Sequence, residues 1–306
     1  RSKLNFSSNL ARPSQILFSL SAILQKILHQ MKNITFILIF LISILGYSQI
    51  ISGKITDIDN KPISGARIGI ENTDFGDQSD ENGNFEIDFT NFDKNSNIKV
   101  LISEFQPYKI KILDFINSDK KIVLTEKIVN IEPVNINPKK YKFKNFGTSN
   151  AKTIYCGYDS EKKDKLFREY AIKVENRKHL KVKKINVNIV NDSFIDSATL
   201  IFDVQGSKND FPDDTKSLTS ETLKFTFTKN DIVNKKISLD VSDQNIWTNE
   251  DFFVLVRVED NLKGKLYFGG NIFAFSKNTY YRNYYGECKK DSAGEPSINV
   301  DVQIEK

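Results

Sequence analysis

After residue 49 the chain never settles into a helical rhythm. Its apolar residues fall at every second position in short runs cut by turn signals, the pattern of half-buried strands. Ile51, Gly53 and Ile55 alternate with polar neighbours, as do Ala66, Ile68 and Ile70, then Phe85, Ile87 and Phe89. Val100 with Ile102 and Ile110 with Ile112 continue the series. Between them lie Asp57–Lys61, Asn72–Gly76, Glu81-Asn82-Gly83 and Phe92–Asn97, rich in residues that turns require. About seven strands in about 75 residues predict a compact β-sandwich of immunoglobulin/prealbumin type over residues 49–126. No helix longer than a turn or two is expected, and the fold class is all-β.

Residues 127–150 break the pattern. Pro133, Pro138 and the run Lys139, Lys140, Lys142 and Lys144 read as an extended linker, with one strand in Ile128–Ile136. Residues 151–306 return to alternation. Strands are expected at Glu169–Val174, Leu180–Val190, Ala198–Val204, Leu223–Phe227, Lys236–Asp240, Phe252–Val258, Lys265–Phe275 and Ser297–Ile304. Ser207–Ser220 is long and polar and reads as a loop. This spacing predicts a second, larger, jelly-roll-like β-sandwich.

The start of the chain has a different character. From Met31, one positive residue, Lys32, precedes the apolar run Ile34–Tyr47, followed by the small-x-small pattern Gly46-Tyr47-Ser48. That run is shorter than the roughly 20 residues a spanning helix needs, so residues 31–48 read as a signal peptide. No stable membrane span is expected once it is removed. Gln49 stands where a lipoprotein would carry cysteine. Residues 1–30 contain no Met and are taken as a non-native upstream extension, with the apolar stretch Ile16–Leu28 allowing a longer leader instead. The expected location is exported: periplasm, outer-membrane-associated or secreted.

Removing the leader changes the charge argument. The chain holds 44 basic and 39 acidic residues, and residues 1–48 hold five basic and no acidic ones, so 44 − 5 = 39 against 39 leaves no net charge. Nucleic-acid binding thereby loses its electrostatic support. Cys156 and Cys288 could pair in an oxidising compartment or remain separate thiols. No cofactor or metal site is expected: beyond the leader the chain has one histidine, His179, and no ligand spacing.

The first block carries more than a generic pattern. Ile51-Ser52-Gly53-Lys54-Ile55-Thr56-Asp57 leads to Asn60-Lys61-Pro62-Ile63-Ser64-Gly65-Ala66-Arg67-Ile68. Asn72-Thr73, Gly76, Ser79-Asp80-Glu81-Asn82-Gly83-Asn84-Phe85, Ile102-Ser103, Tyr108 and Leu124 follow in order. This resembles the carboxypeptidase regulatory-like domain, with Asn60 and Gln106-Pro107-Tyr108 departing from it in turns. The resemblance implies an exported protein of the kind found in Bacteroidota, where such domains accompany carboxypeptidases and outer-membrane transporters. Neither partner fits: the remaining chain is short for a transporter barrel, and a zinc peptidase needs more than one histidine. The second block, with Trp247–Val254 and Tyr280-Tyr281-Arg282, resembles the C-terminal half of exported proteins carrying the same first domain.

Catalytic constellations are sparse. His179 lies in a polar turn, and no GxSxG, P-loop or dinucleotide fingerprint occurs. Glu250-Asp251 and Glu259-Asp260 flank an apolar strand, where charges commonly mark its ends. Asp80-Glu81-Asn82-Gly83 lacks the downstream glutamate of a calcium loop and reads as a hairpin turn. Binding potential concentrates in Thr279–Gly286: Tyr280, Tyr281, Arg282, Tyr284 and Tyr285, with Trp247, could present an aromatic platform to a sugar or peptide. The expected function is a non-enzymatic accessory or interaction protein of the cell envelope, binding a glycan or protein through loops of the second sandwich. The alternative is a carboxylate-dependent hydrolase on that sandwich.

Overall fold

The computed structural model describes residues 29–32, 50–127, 140–149, 153–161, 168–190, 193–259, 261–271, 278–292 and 294–306. The chain divides into two compact units, 1–49 and 50–306. Of the first unit, a helical segment at 29–32 is described. The signal-peptide reading and the strand expected at Ile128–Ile136 lie outside or almost wholly outside the described residues. No described helix is long and apolar enough to cross a membrane.

The second unit opens with seven strands: β1 (Ile50–Thr56), β2 (Arg67–Ile70), β3 (Gly76–Gln78), β4 (Asn84–Asp88), β5 (Asn97–Leu101), β6 (Tyr108–Lys111) and β7 (Lys121–Val123). They form a sandwich of a three-stranded sheet, β4-β1-β7, and a four-stranded sheet, β3-β2-β5-β6. A six-residue helix, Ile112–Asn117, links β6 toward β7 and buries Ile112 and Phe115. The period-two pattern does its expected work in β4, where Phe85 and Ile87 are buried between exposed Asn84, Glu86 and Asp88. The turn before β4 closes as the sequence implies: Asp80 accepts the Asn82 and Asn84 amides, and Gly83 takes φ +78°. Asn60, standing where glycine is usual, adopts φ +65°, a conformation asparagine tolerates.

The second sandwich begins earlier than the sequence implied, with β8 (Tyr141–Gly147) inside the segment read as linker, followed by β9 (Thr153–Asp159) and β10 (Glu169–Val174). Next come β11 (Leu180–Asn188), β12 (Phe194–Lys208), β13 (Phe211–Ser217), β14 (Leu223–Phe227), β15 (Lys236–Asp240) and β16 (Trp247–Thr248). The last six are β17 (Phe252–Val258), β18 (Lys263–Asn271), β19 (Thr279–Arg282), β20 (Lys289–Asp291), β21 (Glu295–Pro296) and β22 (Ile298–Glu305). A ten-stranded sheet runs β20-β19-β10-β17-β12-β18-β21, with β13 and β14 on β12 and β9 on β18. A five-stranded sheet runs β15-β11-β22-β8, with β16 on β11. Between them lies the larger core, including Leu200, Phe202, Val204, Phe252, Val254, Val300 and Val302.

Among the described residues β8 is an edge strand, and its edge is guarded. Lys142 and Lys144 pair opposite Ile304 and Val302, so their charges sit on the core side of an edge strand. Lysines so placed discourage another strand from adding there.

Strand β2 shows how the sandwiches relate, for all four of its residues are buried. Ile68 and Ile70 enter the first core. Arg67 and Gly69 point the other way, yet they too are covered, because the ten-stranded sheet and the segment after β19 pack on that face. The unit is therefore a stack of four sheets.

At the exposed margin of the first sandwich, Lys109 and Lys99 hold the Glu71 carboxyl by hydrogen bonds and charge, down to about 2 against partial burial. A depressed carboxyl adds stability above its unfolded pKa and loses it as pH falls through the folded one. Glu71→Gln should cost about 1 kcal/mol at neutral pH, the scale of a partly screened pair. Chemical denaturation of both proteins should show this difference shrinking between the ordinary glutamate pKa and about pH 2. A difference unchanged across that window would contradict the assignment.

Candidate functional site

The densest polar constellation lies between the first sandwich and the ten-stranded sheet. Arg67 reaches out of β2 and donates to Glu169 at 3.0 Å and Asp214 at 2.9 Å. Arg282 donates through Nε to Glu169 at 2.8 Å and clamps both Asp214 oxygens at 2.7 and 3.1 Å. Arg257 reaches Glu169 at 3.4 Å and the Gly65 carbonyl at 2.5 Å. The side chains of Arg67, Glu169, Arg257 and Arg282 are all under 10 % exposed.

Three guanidiniums thus face two carboxylates. The surplus positive charge meets the Gly65 carbonyl and the Tyr285 ring, whose centroid lies 4.4 Å from the Arg67 guanidinium carbon. Burial opposes ionisation of Glu169, but Arg282, Arg67 and Arg257 outweigh it and hold its carboxyl below the usual range. Asp214 is likewise lowered, Arg282 and Arg67 overcoming its burial. Both carboxylates are fixed as anions, which suits an internal lock and deprives them of proton-transfer chemistry near neutral pH.

Further contacts extend the seam. Ser64 donates to Glu259 at 2.9 Å, and Lys224 bridges the Ser64 carbonyl and Glu259, each at 2.8 Å. The Tyr285 hydroxyl donates to the Arg67 carbonyl at 3.2 Å. A Cβ added at Gly69 would lie 2.9 Å from the Tyr285 ring, so glycine there sets how closely the segment after β19 approaches β2.

The aromatic segment expected to be an exposed platform is largely this seam. Tyr280 is fully buried, edge-on to Phe253 at 5.1 Å, with its hydroxyl donating to Asp210. Arg282 belongs to the ion cluster and Tyr285 lies beneath Arg67. Tyr281 is half-buried against the larger core, and Tyr284 is half-buried over Gly69 and Gly76. The residues Tyr280 to Arg282 form a strand rather than a loop, because they pair with β10. Trp247 lies elsewhere, on the five-stranded sheet, with the His179 imidazole flat against it at 4.6 Å.

The cysteines do not form a disulfide. Cys156 packs at the core between the sheets, whereas Cys288 packs with Ala171, Phe253, Leu255 and Tyr280 on the other face of the ten-stranded sheet. A sheet separates the two thiols. Burial pushes Cys156 up to about 12 and Cys288 up to about 11. At pH 8 the native protein should therefore react only slowly with a thiolate-dependent disulfide reagent. Both thiols should react at once on unfolding; rapid native reaction would contradict the raised thiol pKa values.

The carboxylates proposed for hydrolysis each hold a lysine: Glu250 with Lys216, Asp251 with Lys173 and Glu259 with Lys224. Asp260 lies outside the described residues. Among the described residues no group of His, Cys, Asp and Glu is arranged to hold a metal ion. A shallow polar groove of about 800 Å³ lies on the three-stranded sheet, bordered by Ser52, Lys54, Asp77, Glu86 and Lys120. Asp77 there already accepts the Glu86 amide, and Ser52 donates to Glu86.

Glu169, Asp214, Arg257 and Arg67 were not anticipated from the sequence. For Glu169, Arg257 and Arg67 the one local sign is a charged residue opening or interrupting an apolar strand, as in Glu169-Tyr170-Ala171-Ile172, whereas Asp214 lies in a polar segment that gives none.

Residues 51–136 match the family of CarboxypepD_reg-like domains, a span that takes in nearly all of the first sandwich. No curated protein matches the chain. Among solved structures, the clostridial cysteine protease Cwp84 after propeptide cleavage aligns at 10% identity over 52% of this chain and 40% of that one, with a TM-score of 0.37. The cysteine protease and lectin-like domains of Cwp84 from Clostridium difficile align at 10% identity over 44% and 32%, with a TM-score of 0.31. The VP2 subviral particle of infectious bursal disease virus aligns at 6% identity over 83% and 63%, with a TM-score of 0.24. The chain thus spans less than half of the Cwp84 structures it aligns with.

Proposed function

We propose that this chain is an exported, non-enzymatic accessory protein of the cell envelope, which binds a glycan or protein partner through its second sandwich. The observation that carries the reading is the commitment of the charged groups. Glu169 and Asp214 are locked to arginines in the seam, and Glu250, Asp251 and Glu259 are each neutralised by lysine. A hydrolase of the carboxylate type needs two such groups facing a common space with a proton to exchange. The CarboxypepD_reg-like domain supports an accessory role. The leader from Met31 supports export to the periplasm, the outer membrane or the medium.

Fractionation of the native host and affinity capture with the full chain test the reading. Recovery in the envelope or medium with saturable capture of an envelope component is expected. Retention in the cytoplasm, or glycoside hydrolysis abolished by Glu250→Gln, would overturn it.

A further inference from the structure

Asn82-Gly83 is the single Asn-Gly dipeptide in the chain, and the fold places it in the turn that feeds β4. An asparagine amide followed by glycine is open to attack by the next backbone nitrogen, because glycine carries no side chain to hinder the approach. Asn82 is exposed, so solvent reaches its amide. Gly83 is buried and held from both sides. Its N–H donates to the Asp80 carbonyl at 2.9 Å, and its carbonyl accepts the Ile55 amide at 2.8 Å. The Asp80 carboxylate also accepts the Asn82 amide at 2.9 Å and the Asn84 amide at 2.7 Å. The attacking nitrogen is therefore adjacent in sequence but pinned by the folded turn.

We propose that Asn82 is a site of spontaneous deamidation whose rate is set by opening of this turn. The Gly83 nitrogen attacks Asn82 Cγ and gives its proton to solvent. A new N–Cγ bond closes a five-membered succinimide, and the side-chain nitrogen leaves as ammonia. Water then opens the ring at one of its two carbonyls. Cleavage of the new N–Cγ bond leaves aspartate on an unchanged main chain. Cleavage of the original peptide bond leaves isoaspartate, with the main chain rerouted through the side-chain carbons.

The two products differ in what they do to the fold. Aspartate keeps the length of the turn. Isoaspartate adds one carbon to the backbone between Asp80 and Asn84, where the Asp80 N–H donates to the Asn84 carbonyl at 2.9 Å and closes the hairpin. The turn lies tightly on β1: a Cβ added at Gly83 would stand 2.4 Å from the Ile55 carbonyl oxygen. The same turn sets the register that buries Phe85 and Ile87. Isoaspartate therefore forms in chains that are unfolded or locally open, and it hinders closure of the first sandwich.

Peptide mapping by mass spectrometry of the full chain, aged at mildly alkaline pH with and without guanidinium chloride, tests the proposal. In denaturant, Asn82 should convert first, to aspartate and isoaspartate told apart by isoaspartyl methyltransferase labelling. Asn95-Ser96 and Asn117-Ser118, whose attacking nitrogens belong to bulkier residues, should lag behind it. In native buffer the conversion should be slower by roughly tenfold or more, because only the open population reacts. Asn82→Ser should fold normally by circular dichroism and lose the modification. Aged chain should refold in lower yield than Asn82→Asp, which carries the charge without the longer backbone. Equal rates with and without denaturant, or faster conversion of another asparagine, would overturn the proposal. Equal refolding yields would overturn the effect assigned to isoaspartate.

Discussion

Glu169→Ala is expected to lower the unfolding free energy by about 3–5 kcal/mol, the cost of removing one partner from a buried ion pair. The substitution strips Arg67, Arg257 and Arg282 of their shared anion and leaves Asp214, held by Arg67 and Arg282, as the remaining carboxylate of the cluster. Arg67→Ala should cost less, because it leaves two arginines balanced against two carboxylates. A double variant, Arg67→Ala with Glu169→Ala, should fall short of the sum of the single losses by about 0.5–3 kcal/mol, as expected for groups in one network. Urea unfolding of the four proteins measures each value. Equal costs for the two single variants, or strict additivity, would contradict a shared cluster.

Phe85→Ala should be of similar size, about 3–5 kcal/mol, by loss of a buried ring and the cavity it leaves. Phe85 is 2 % exposed and stacks on Phe115 at 5.8 Å, while Phe89 meets Phe115 edge-on at 6.2 Å. The ring therefore ties the three-stranded sheet to the short helix before β7. Thermal unfolding by calorimetry checks the loss, and a cost below about 1 kcal/mol would mean that this core is not packed as described.

The strands that bury a continuous apolar face were legible. Glu169–Val174, Leu223–Phe227, Lys236–Asp240 and Phe252–Val258 lie where alternation placed them. The two sheets of the first sandwich and its turn residues were legible too, because Asp80, Gly83 and Asn60 act locally. What escaped was pairing over distance. Phe211–Ser217 carries Pro212, Asp213 and Asp214 and reads as a loop, yet it pairs with β12 and delivers Asp214 to the cluster. Tyr141–Gly147 alternates aromatic and lysine residues, but its lysines and the preceding Pro138 read as linker, because an edge strand here turns lysines rather than apolar residues toward the core side. Arg67 reads as a solvent-facing residue until a second sandwich covers its face, and its partner Glu169 is 102 positions away. The tyrosines of Thr279–Gly286 stand out by composition, which does not say whether they face solvent or another sheet.

The regulatory-like sandwich and the second sandwich form one body, locked through Arg67. Trp247 is the only tryptophan and lies in the second sandwich, so its fluorescence reports that sandwich alone. Urea unfolding of Arg67→Ala followed at Trp247 is the most direct test. A midpoint below that of wild type and coincident with loss of circular dichroism from the whole chain is expected. A Trp247 midpoint identical to wild type, with the first sandwich unfolding separately, would contradict it.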